Sequence, residues 1–142
     1  MLMLRDSLDL IAGIHARVIR AQASGMTGVS LSAGRQLPRA CRAGAVGADR
    51  DTRLISSMHT NSPAGDQALH QYRAALDTLG TALRACEHDG STLMANAKPD
   101  FARIESISES AVQAIRIYEG VRLMLVRKLD IDLPVTGKMF RG

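Results

Sequence analysis

Leu69, Tyr72, Leu76, Leu79, Leu83 and Cys86 follow one another at spacings of 3, 4, 3, 4 and 3. Such spacing gathers all these side chains on one stripe of an α-helix, whereas a strand needs alternation at every second residue. Sustained over two and a half heptads, it is a coiled-coil-like a/d seam that requires a second helix, from the same chain or another, to cover it. Ala68, Ala75 and Ala82 recur every seven residues beside the seam, and side chains that small let a partner backbone come close. Ser62 suits the N-cap of this helix, Pro63 its first position, Asp66 its first turn, and Gly90 a C-terminal stop. The helix is therefore expected over about 63–88.

A second long helix is expected over about 99–130. Pro99 and Asp100 open it, and Phe101, Ile104, Ala111, Ile115, Tyr118, Leu125 and Leu129 continue the same spacing. Val112, Ile117 and Met124 lie off that stripe and predict a second apolar flank. A shorter N-terminal helix is expected over about 6–23, from Leu8, Ile11, Ile14, Val18 and Ala21, with Asp6 or Ser7 as cap. Between them, residues 24–61 break the period. Gly25, Gly28, Gly34, Gly44 and Gly47 occur there with Pro38 among small residues and arginines, which predicts a flexible linker or long irregular loop. The fold class is all-α: an antiparallel helical hairpin over 62–134, an N-terminal helix in 1–23 tethered by that linker, together a small bundle, and a frayed tail over 135–142.

Composition narrows the function classes. The 142 residues are 46% hydrophobic and only 3% aromatic, enough for one domain. Apolar runs stop at about four residues, far from the roughly 20 needed to span a bilayer, so no transmembrane segment is expected. Asp6 and Asp9 interrupt any signal-peptide core after Met1–Leu4. Two cysteines, Cys41 and Cys86, do not make a disulfide framework; the reading is a cytoplasmic protein with reduced thiols. The net charge is +4, and its densest basic stretch holds Arg35, Arg39 and Arg42. With no interleaved aromatics, any contact of these arginines with nucleic acid or an acidic partner is electrostatic.

Catalytic patterns are missing from the sequence. None of His15, His59, His70 and His88 is paired at metal-ligand spacing, and Cys86 with His88 supplies two ligands where structural zinc needs four. Thr136-Gly137-Lys138 resembles the end of a phosphate loop, but Asp132 stands where its first glycine belongs. Glu105 and Glu109 form an i, i+4 pair of the kind common on solvated helix faces. No catalytic residue, metal site or cofactor is expected. The function expected is non-enzymatic: a helical interaction or assembly protein, whether adaptor, chaperone-like partner or oligomeric subunit. Its partner is a second copy or another helical protein, met through Leu69, Tyr72, Leu76, Leu79, Leu83, Ile117 and Met124. The alternative is a small basic nucleic-acid-associated regulator using Arg35, Arg39 and Arg42, with helices supplying dimerisation.

Overall fold

The computed structural model describes residues 3–60 and 62–129, and the expected tail over 135–142 lies outside them. It holds four helices: α1 (Leu4–Ala23), α2 (Thr27–Ser56), α3 (Pro63–Met94) and α4 (Phe101–Leu129). Each runs antiparallel to the one before it, and α1 packs on α4 to close the ring, an up-down-up-down helical bundle. The directions follow from the contacts. Leu4 at the start of α1 meets Gly47 late in α2, Arg17 donates to Gln36 at 2.8 Å, and Gln22 donates to the Phe101 carbonyl at the start of α4. No described helix is long and apolar enough to cross a membrane.

The large correction to the sequence reading is α2. The segment expected to be a linker is a 30-residue helix, so the expected tethered helix and long loop give way to a four-helix bundle. Its buried face is made of small residues: Ser30, Ala33, Gly34, Ala40, Cys41, Gly44, Ala45, Gly47 and Ala48, with Leu37 and Ile55 as its large members. The helical period is present, but in side chains whose apolar signal is weak. Gly34, Gly44 and Gly47 serve close approach rather than turning. A Cβ on Gly34 would stand 2.9 Å from Ile104 Cδ1, and one on Gly47 would stand 3.1 Å from the Leu4 Cα. Pro38 forfeits one backbone hydrogen bond inside the helix. Its ring lies against Gly90 of α3, 3.0 Å from where a Cβ would be. Gly90 is thus a packing notch, not the expected stop, and α3 continues to Met94.

Local signals set the helix ends. The Ser62 hydroxyl accepts from the Gly65 N–H at 3.0 Å with Pro63 in the first turn, and Asp100 accepts from the Ala102 N–H at 3.0 Å. Gly25, at φ +69°, ends α1. Its N–H bonds the Gln22 carbonyl and that of Met26 bonds the Ala21 carbonyl, the Schellman arrangement that a left-handed residue permits.

Candidate functional site

The α3 seam is enclosed within the chain. Leu69, Tyr72, Leu76, Leu79 and Leu83 are all buried, packed among α1, α2 and α4 residues of one continuous core. They bind the bundle together and are not available to an outside partner. Val112 is buried with them, correcting its assignment to an outer flank. Ile117 and Met124 are the exception: they are 66% and 53% exposed.

These two residues border a groove of about 600 Å³ between the outward sides of α3 and α4. Ala74, Ala75 and Ala114 make it deep because they project so little, and Tyr118 and Leu79 reach its floor. Gln71, Thr78, Ser110 and Gln113 supply neutral polar groups, and no charged residue lines it among those described. The groove continues toward the other end of the helices as a smaller cleft beyond Ser110, where Asp89 and Arg103 are found. An uncharged apolar strip with charges confined to its ends has the composition of an interface core with its rim.

Beneath the groove the hydrophobic core holds a few polar groups. The Tyr72 and Tyr118 hydroxyls share a hydrogen bond of 2.7 Å, with ring centroids 5.9 Å apart. Burial holds both phenols protonated well above the usual tyrosine range, and the negative charge of Asp51 acts in the same direction. Asp51 of α2 is itself fully buried, with Arg50 Nε 3.8 Å from its Oδ1. Desolvation pushes its carboxyl up to about 6 against the opposing pull of Arg50. On the α1/α4 side, His15 Nδ1 lies 2.6 Å from the Ser108 hydroxyl, which in turn donates to the Glu105 carbonyl at 3.0 Å.

Cys41 and Cys86 are joined in a disulfide between α2 and α3, with Cα atoms 6.0 Å apart. The reading of two reduced thiols is corrected. The bond was hidden because Cys41 was assigned to a linker, with no helix to bring it beside Cys86. Arg35, Arg39 and Arg42 are likewise on a helix rather than a loop. At i, i+4 and i+7 they share one exposed face of α2 over about 10 Å. Arg42 lies 3.9 Å from Glu87. Among the described residues no three His, Cys, Asp or Glu side chains are grouped to hold a metal ion. Comparison with known protein families, with curated proteins and with solved structures found no match.

Proposed function

We propose that the chain is a non-enzymatic helical interaction or assembly protein that works by burying the outward α3/α4 face against a partner. The observation that carries this reading is the exposure of Ile117 and Met124 over an uncharged groove. A bundle whose seam is already covered gains nothing internally from them, and large apolar side chains around a concave strip mark a surface meant to be covered. Binding there would bury apolar area, with the charges at the groove ends setting register. The test is a photoreactive residue at position 117, compared with one at exposed Gly13 of α1, in the cells that make the protein. A discrete product of identified composition from position 117 alone is expected. Equal labelling from both positions, or none from 117, would contradict the reading.

A second reading, binding to nucleic acid, is favoured by the row of Arg35, Arg39 and Arg42. Guanidinium groups on one face match a phosphate backbone and predict retention on heparin that falls steeply with salt. A cytoplasmic location remains part of the proposal; there the Cys41–Cys86 bond has to withstand soluble thiols, with Cys41 0% exposed and Cys86 lining the smaller cleft.

A further inference from the structure

Gly120 lies at the middle of the exposed α4 stripe, three residues after Ile117 and four before Met124. A Cβ placed on it meets nothing within 4 Å, so the bundle itself has no need of glycine there, although glycine weakens a helix interior. Gly34, Gly44, Gly47 and Gly90 differ, each having a neighbour that a Cβ would crowd. Gly13 and Gly28 are equally open, but the next turn of the Gly13 face carries Arg17, already bonded to Gln36, and Gly28 lies in the first turn of α2 rather than in a helix interior. At Gly120 the missing side chain leaves a notch between two large exposed apolar residues.

The charges along the same side of α4 say what fits the notch. Glu109 and Arg127 are 18 residues apart, which at 100° per residue is five whole turns, so they stand on one line about 27 Å apart. Both are exposed, and neither forms an ion pair among the described residues. A parallel copy of this helix would set Glu109 on Glu109. An antiparallel copy, related by a two-fold axis at the level of residue 118, sets each Glu109 opposite Arg127 of the other chain. The same axis sets the Ile117 backbone of each copy one residue, about 1.5 Å, short of the level of Gly120 of the other, a gap that the tilt of a helical side chain toward its own N-terminus closes, large side chain against notch. The notch and the Glu109 and Arg127 charges thus favour one register and one polarity, against the like charges of the two Arg116 side chains, which lie about 6 Å apart along the axis in that register.

We propose that the occupant of this face is a second copy of the chain, packed antiparallel through α4, with Ile117 at the Gly120 notch and two Glu109–Arg127 pairs at the ends. This rests on the reading of the α3/α4 face as an assembly surface. Light scattering on the purified full chain tests it, with an expected mass of twice the 15.3 kDa chain. Gly120→Leu, which favours the helix and fills the notch, should weaken the dimer at least about tenfold while leaving the melting temperature of the fold undiminished. Glu109→Arg should weaken it about tenfold in low salt, and Glu109→Arg with Arg127→Glu should restore it. A purified wild type that stays monomeric at high micromolar concentration would overturn the pairing, as would a dimer indifferent to all three variants. If position 117 then labels a different protein in cells, the assembly reading stands and only the second copy falls. If position 117 labels nothing, both fall.

Discussion

Gly44 of α2 and Leu83 of α3 are so closely apposed that a Cβ on the glycine would stand 2.8 Å from the leucine Cδ1, with Ile11 of α1 a further 0.8 Å away at 3.6 Å. The helix with least apolar bulk is therefore the one around which its neighbours close most tightly. Gly44→Val adds a branched side chain into that contact and is expected to destabilise the fold by about 1–3 kcal/mol through overpacking. Gly13→Ala, where nothing lies within 4 Å, is expected to stabilise it by about 0.5–1 kcal/mol. Urea unfolding of both variants checks the pair; stabilisation by valine at 44 would contradict the contact.

The bond between Cys41 and Cys86 closes a loop across a sequence separation of 45. Restricting the unfolded chain to that extent corresponds to about 4 kcal/mol in the chain-entropy picture. Reduction, or replacement of both cysteines by serine, should lower stability by roughly 2–4 kcal/mol. Thiol titration of the unreduced protein after unfolding in denaturant should find no free thiol at either position, and two titratable thiols would contradict the pairing.

Burial raises the Asp51 carboxyl from 3.8 to about 6, so between these values the folded state binds more proton than the unfolded one. The contribution of this group to stability is then most favourable below about pH 4, declines as pH rises toward 6 and is flat above it. Asp51→Asn keeps the shape without the charge. It should remove that decline and stabilise the protein at pH 7, measured as the difference between variant and wild-type unfolding free energies from pH 4 to 8. A difference independent of pH would show that Asp51 ionises normally.

Tyr72 and Tyr118 satisfy each other's hydroxyls inside the core. Removing one, as in Tyr72→Phe or Tyr118→Phe, leaves the other buried without that partner, at a cost of about 1–3 kcal/mol. Removing both should cost less than the sum of the singles, and the double-mutant cycle reads the coupling directly. Strict additivity would mean that the two hydroxyls do not interact.

Helices α1, α3 and α4 are legible in the sequence because their buried stripes are written in Leu, Ile, Val and Tyr, whose spacing stands out against polar neighbours. In α2 the same period runs through Ala33, Ala40, Gly44, Gly47 and Ala48, and small residues read as turn formers when weighed one at a time. Losing α2 also hid the Cys41–Cys86 bond, and it turned the arginine row into a loop. The seam from Leu69 to Leu83 was legible as a seam, yet only the presence of α2 shows that the chain covers it. Ile117 and Met124 stand out in the sequence because they lie off the main stripe of their helix. The groove between them and α3 was not visible, since it depends on the register in which Ala74 and Ala75 meet Ala114.

The helix over residues 27–56 closes the α3 seam from within and so leaves the α3/α4 face as the open one. Amide hydrogen–deuterium exchange resolves this segment by segment. Slow exchange from Ala33 to Ile55, comparable with that of Leu69 to Leu83, is expected. Exchange of 33–55 at the rate of an unstructured chain, while α3 stays protected, would contradict the bundle.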